Sequence, residues 1–228
     1  MKQTDTGIIL HKINYSESSL ILTLYTRNNG LQRYIFQGGK KKHSAVFPMS
    51  HVEFTYYSRP DSELGKMTEA SSTGISVEIP FHPLRSSIAF FLADVLRQCL
   101  KTEQKDVSLF EFLEKKIELL NREDQLGSFP HETLTQLTHH LGLMPNVEPG
   151  DYFLLQEGSF SEHHAFDQTA EKGEAVDAFR MLLLNEIPQP FHSVQRKQTL
   201  NLILRYYNLH VPNFNVERSL EVLREIME

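Results

Sequence analysis

The chain has 228 residues, of which 40% are hydrophobic and 23% are charged, with a formal net charge of -6 and a single cysteine. This composition predicts a folded protein, and one cysteine excludes a disulfide framework and a zinc site built from several thiolates. No stretch approaches the roughly 18 apolar residues of a membrane span. The N-terminal apolar run is too short for a signal peptide, so we expect a cytoplasmic protein with no membrane partner.

The first 80 residues contain five segments rich in β-branched and aromatic residues, separated by turn-forming residues. They span residues 6–13, 19–26, 31–38, 51–58 and, within a less regular stretch, 64–79. Asn29-Gly30 suits a tight turn, so the second and third strands are predicted to pair antiparallel. Five short strands predict a small barrel, since closure removes exposed edges. Both an OB-like and an SH3-like barrel fit the pattern.

The pattern changes at Pro80 and Pro83, where a helical period replaces the strands. We therefore predict a domain of residues 1–80 followed by a helical domain of residues 81–228. Helices are expected at 84–101, 107–123, 130–143, 175–187, 196–210 and 219–227. Residues 144–167 carry prolines, glycines and aromatics, which indicates an irregular insert of turns or a small hairpin. The predicted fold class is α+β, a five-stranded barrel before an all-α domain.

Charge is distributed unevenly along the chain. Residues 1–80 contain 9 Lys and Arg against 7 Asp and Glu, whereas residues 81–228 contain 14 against 22. The basic part includes "QGGKKKHSA" at 37–45. Its spacing does not fit a Walker phosphate loop, but a glycine pair lets a loop bend while Lys40, Lys41 and Lys42 contact nucleic-acid phosphates. The alternative is a solvated loop with no ligand.

Further candidates for binding DNA lie in the same 80 residues. Arg27, Arg33, Arg59 and Lys66 are candidate phosphate contacts, and Tyr34 and Tyr57 are candidates for stacking on bases. The alternative for the aromatic residues is that they fill the barrel core.

No arrangement of residues predicts catalysis or metal binding. His139 and His140 are neighbours on a predicted helix, so their side chains point about 100° apart and do not readily share a metal. Cys99 lies among apolar residues of a predicted helix, and no G-x-S-x-G motif is present. We therefore expect a protein that is not an enzyme and holds neither a metal nor a cofactor.

The chain resembles the bacterial recombination mediator RecO family. The resemblance rests on "GIILHKINYSESSLILTLYTRNNG" and "FQGGKKKHSAVFP" near the N-terminus and on "LILRYYNLHVPNF" and "SLEVLREI" near the C-terminus. It implies an N-terminal OB domain that binds single-stranded and double-stranded DNA, and work in recombinational repair near the nucleoid. Members of the family anneal complementary strands and, with the partner RecR, help load RecA onto DNA covered by single-strand-binding protein.

The chain departs from many members of the family, which bind zinc through four cysteines in the C-terminal domain. Here that region reads "GLMPNVEPGDYFLLQEGSF" and contains no cysteine. We expect Tyr152, Phe153 and Phe160 to hold the insert by apolar packing in place of a metal.

The resemblance also implies that the helical domain docks the acidic, Phe-ended tail of single-strand-binding protein. Such a tail needs cations beside an apolar pocket. Lys197 and Arg205 lie about 80° apart on a predicted helix and are the candidate pair, with Tyr206 or Tyr207 as a possible wall. The competing function is a protein-interaction adaptor whose barrel does not contact nucleic acid.

Overall fold

The computed structural model describes residues 2–39, 46–57, 64–100, 104–163, 169–186 and 191–227. The first five strands are β1 (Lys2–Asn14), β2 (Leu20–Thr26), β3 (Gly30–Phe36), β4 (His51–Tyr57) and β5 (Gly65–Ser72). They form a closed barrel in the order β1-β2-β3-β5-β4. Every neighbouring pair is antiparallel except β3 and β5, which are parallel. The predicted α+β fold with an OB-like barrel is confirmed.

Alternate residues of the barrel strands point inward, because successive side chains of a strand face opposite sides of the sheet. The inward set forms one buried apolar cluster. It comprises Ile9, Leu20, Leu22, Leu24, Tyr34, Phe36, Val52, Phe54, Tyr56, Met67 and Ala70 from the strands and Val46 from the segment between β3 and β4. The residues between them therefore face outward, toward solvent or toward the helices that pack on the barrel.

The β2–β3 hairpin is held at its tip by a buried carboxylate. Asp5 is 5% exposed and accepts hydrogen bonds from the side-chain amides of Asn28 and Asn29, at 2.8 and 3.1 Å. Gly30 has φ +65, and a Cβ at this residue would lie 2.4 Å from the backbone oxygen of Gln104. The predicted antiparallel hairpin is confirmed, and only glycine fits its last turn position.

Six helices follow the barrel within the described residues. They are α1 (Pro83–Cys99), α2 (Val107–Arg122), α3 (Phe129–His140), α4 (Glu174–Leu183), α5 (Ser193–His210) and α6 (Glu217–Met227). Among the described helices, none is both long enough and apolar enough to cross a membrane.

The chain divides into two compact units. The barrel unit contains Met1–Asp124 and Val216–Met227, and the helical unit contains Gln125–Asn215. Helix α6 belongs to the barrel unit because it returns to pack against α1, where the Ser219 hydroxyl donates to Asp94 at 2.8 Å. The division into domains 1–80 and 81–228 stays a prediction, since compactness does not test which part of the chain folds alone.

The predicted insert contains most of a small three-stranded sheet. Strands β6 (Tyr152–Leu154), β7 (Ser159–Ser161) and β8 (Ala170–Lys172) pair in the order β7-β6-β8. The ring of Phe153 lies 4.9 Å from that of Phe160 and 5.3 Å from that of Phe179, measured between centroids. Phe153 and Phe160 are fully buried, which confirms their predicted packing role. Tyr152 is partly exposed, and the Lys172 ammonium group lies 5.1 Å from its ring centroid.

Candidate nucleic-acid interface

A row of paired residues runs across the outer face of the barrel. Lys66 of β5 is aligned with Ile35 of β3 and with Tyr57 of β4, and Tyr57 is aligned with Lys2 of β1. Paired residues on neighbouring strands share a face of the sheet. Met67, beside Lys66, points into the core, so this row faces outward. Lys66, Tyr57 and Lys2 are all exposed.

Arg33 lies on the same outer face, two residues before Ile35 on β3, and is exposed. Among the described residues, no carboxylate lies within ion-pair distance of Arg33 or Lys66. The neighbouring strands β3 and β5 therefore present two cations, Arg33 and Lys66, that no carboxylate of the described chain neutralises. Lys2 adds a third cation that the sequence pattern did not single out, because it joins the row only through the pairing of β1 with β4.

Four of the predicted DNA contacts, Lys40, Lys41, Lys42 and Arg59, lie outside the described residues. The structure describes the chain as far as Gly39, just before the three lysines. Gly38 has φ +72, and a Cβ on Gly39 would lie 2.7 Å from the ring of Phe36. The ends of β3 and β4 and the start of β5 meet at one end of the barrel, because Phe36 aligns with Met67 and Tyr57 with Lys66. Strands β3 and β4 therefore both end beside Lys66.

Arg27 is removed from the candidate interface by its contacts with α2. Its guanidinium group lies 2.6 Å from Glu111 and 3.9 Å from Glu114, and 5.6 Å from the ring centroid of Phe110. Two carboxylates neutralise this charge and hold it against the helix. The role of Arg27 is to join the β2–β3 hairpin to α2.

His51 contributes to the same junction from β4. Its Nδ1 lies 2.8 Å from the hydroxyl of Thr73, and its Nε2 lies 3.2 Å from Glu114. Burial lowers the pKa of His51, and the opposing effect of Glu114 is smaller. The ring is therefore neutral at neutral pH and adds no positive charge to the barrel.

The predicted base-stacking role of Tyr34 is wrong. Tyr34 is 2% exposed, and its ring centroid lies 5.1 Å from those of both Phe54 and Tyr56 in the barrel core. Burial raises the pKa of its hydroxyl well above the usual value. Because Arg33 faces outward, its neighbour Tyr34 must face inward, so no ring face is free for a base. Tyr57 is 43% exposed, and its base-stacking role stays a prediction.

The structure places Lys197 and Arg205 on α5 of the helical unit, where both are exposed. Arg205 pairs with Glu171 of β8. The predicted aromatic wall is wrong, because Tyr206 and Tyr207 are 3% and 0% exposed. Their hydroxyls donate to the backbone oxygens of Leu143 and Leu134, at 2.9 and 2.8 Å. Both tyrosines are core residues of the helical unit.

The chain is similar in sequence to proteins named for DNA repair. A family profile described as "Recombination protein O N terminal" matches residues 1–75, which correspond to the barrel. The DNA repair protein RecO of Phocaeicola vulgatus is 33% identical over 239 residues, covering 99% of both chains. That of Bacteroides fragilis is 30% identical over 242 residues, covering 100% of both, and that of Christiangramia forsetii is 29% identical, covering 96% of this chain. The family resemblance is confirmed, and the chain belongs to the RecO family.

Proposed function

We propose that the chain is a DNA-binding mediator of recombinational repair, which anneals complementary strands and helps load RecA onto DNA covered by single-strand-binding protein. The observation that carries the proposal is the pair of cations Arg33 and Lys66 on the outer barrel face, without a carboxylate partner among the described residues. The relatives named DNA repair protein RecO support it. The protein acts by binding and makes no covalent change, so the function requires no catalytic residue and no cofactor.

The contrast between Arg27 and Arg33 favours this function over an adaptor whose barrel never contacts nucleic acid. Arg27 is satisfied by two carboxylates of α2, as expected for a structural cation. Arg33 and Lys66 have no such partner among the described residues, and a phosphate backbone supplies the anionic groups that such cations bind. Three further lysines, Lys40 to Lys42, follow Gly39 in the chain and are included in the proposed contact set, together with Arg59.

Replacing Arg33 and Lys66 together by alanine should weaken binding to DNA and make it less sensitive to salt. Each phosphate contact that is lost should flatten the log-log dependence of affinity on salt by about 0.7 units on a single strand and about 0.9 units on a duplex, so the double variant should lose about 1.4 units on a single strand. Fluorescence anisotropy of a labelled single-stranded oligonucleotide at four or more salt concentrations measures the slope. A variant of Lys40, Lys41 and Lys42 should flatten it by up to about 2 to 3 units.

The matched control replaces Lys115 and Arg122 by alanine. Both are exposed on α2 of the same unit. The control therefore changes the net charge by the same amount as the Arg33, Lys66 variant and leaves the outer barrel face intact. This control should keep the wild-type slope. The adaptor function would be favoured if the Arg33, Lys66 variant and the Lys40, Lys41, Lys42 variant both kept the wild-type slope. It would also be favoured if the wild-type chain failed to bind DNA in a salt-dependent way.

We also propose a RecR-type partner and, on the helical unit, the acidic tail of single-strand-binding protein. The exposure of Lys197 and Arg205 supports the second partner, and the tail carboxylate must displace Glu171 to bind Arg205. A fluorescent peptide ending in Asp-Phe should bind the Lys197→Glu, Arg205→Glu variant at least about tenfold more weakly than the wild type, because each change replaces attraction by repulsion. Equal affinities, with folding intact, would exclude this pair of residues as the site.

A further inference from the structure

Three isoleucines form an apolar strip on the outer face of the barrel. Ile13 of β1 pairs with Ile21 of β2, and Ile21 pairs with Ile35 of β3, so the three side chains stand at one level on three consecutive strands. Ile13 is 46% exposed, and Ile21 and Ile35 are partly exposed. None of the three belongs to the buried cluster inside the barrel. We call these three residues the apolar strip.

The strip continues directly into the cationic part of the face. Ile35 is aligned with Lys66 on the neighbouring strand, and Arg33 lies two residues before Ile35 on the same face. Single exposed aliphatic residues are common on protein surfaces, but a contiguous group beside exposed cations is typical of a ligand site. The ligand that matches both parts carries negative charges and apolar surfaces in close succession.

Single-stranded nucleic acid has this combination, whereas a duplex does not. In a duplex, the flat faces of the bases are stacked on one another and only their edges reach the grooves. In a single strand, the base faces are available to apolar side chains while the phosphates remain available to cations. An aliphatic side chain reads no base edge, so such contacts are tolerant of sequence.

Resting on the proposed DNA-binding function, we propose that the apolar strip contacts the unstacked bases of a single strand whose phosphates are bound by Arg33 and Lys66. The barrel then prefers single strands to duplex DNA. The two parts of the face have separable effects, because the strip contributes affinity without releasing counterions and the cations contribute the salt dependence.

The test replaces Ile21 and Ile35 together by threonine, which is β-branched and retains strand propensity. Binding of a labelled single-stranded oligonucleotide should weaken about fivefold or more, while the salt slope stays at the wild-type value. Affinity for a duplex of the same length should change less than about twofold. The matched control, Val222→Thr with Ile226→Thr, also replaces two β-branched aliphatic residues by threonine, at exposed residues of α6, and should leave both affinities unchanged.

Thermal unfolding of each variant checks that the barrel remains folded. Unchanged affinity of the folded double variant for the single strand would overturn the inference, and so would an equal loss for single strand and duplex. A change in oligomeric state, measured by sedimentation, without a change in affinity would identify the strip as a contact between copies and would also overturn it. Absence of salt-dependent DNA binding by the wild-type chain is a different result, because it removes the proposed function itself.

Discussion

Replacing Phe153 by alanine should lower the free energy of unfolding by about 3 to 5 kcal/mol, since a buried aromatic side chain is lost and a cavity remains. Phe153 is fully buried and is the central ring of an aromatic cluster, with the centroids of Phe160, Phe179 and Tyr206 at 4.9, 5.3 and 5.5 Å. The cluster joins the three-stranded sheet to α4 and α5. Urea unfolding followed by circular dichroism measures the loss.

The neighbouring residue supplies the control. Tyr152 lies on the opposite face of β6 and is partly exposed, so Tyr152→Ala should lower the free energy of unfolding much less than Phe153→Ala.

A chelator should leave the unfolding midpoint of the wild-type chain unchanged, because apolar packing takes the place of metal ligands in holding this sheet. A small effect of Phe153→Ala, or a large effect of the chelator, would contradict this account of the insert.

Replacing Gly30 by alanine should lower the free energy of unfolding by about 2 to 5 kcal/mol, for two separable reasons. The left-handed backbone at φ +65 costs a residue with a Cβ about 1 to 2 kcal/mol. In addition, the new methyl group would meet the backbone oxygen of Gln104, so either the buried Gly30 or the exposed Gln104 must shift, at a cost of about 1 to 3 kcal/mol.

Gly38 separates the two contributions. Its φ of +72 is nearly the same as that of Gly30, but nothing lies within 4 Å of the position of its Cβ. Gly38→Ala should therefore show only the backbone cost. If Gly30→Ala and Gly38→Ala lowered the free energy of unfolding equally in urea, the steric contact between residue 30 and Gln104 would contribute nothing to the loss. This result would contradict the second part of the prediction.

Local signals in the sequence predicted most of the elements. Asn29-Gly30 identified the β2–β3 hairpin because the turn requires positive φ at Gly30, which depends only on neighbouring residues. The helices were recognisable from their apolar period, with ends that differ by a few residues from those in the structure. Strand β8 was not predicted, because three residues, Ala170–Lys172, are too few to show an alternating pattern.

The candidate interface could be predicted only in part, since its arrangement depends on pairings between distant residues. Arg33 and Lys66 come together because β3 and β5 are parallel neighbours, which no local pattern indicates. Arg27 looked equally available until α2 placed Glu111 beside it, 84 residues away in the chain. Tyr34 was misjudged because the inward or outward direction of a strand residue follows from the register of the closed barrel.

The path of α6 has a consequence for how the chain is made. The barrel unit is interrupted by Gln125–Asn215 and is completed by Val216–Met227, so its packing cannot finish until Val216–Met227 have left the ribosome. Leu220 and Leu223, the buried residues of α6, are then still missing from the surface of α1, and the nascent chain exposes apolar area to chaperones and proteases. A premature stop codon before residue 216 would thus damage the N-terminal barrel unit, although every one of its strands had already been translated.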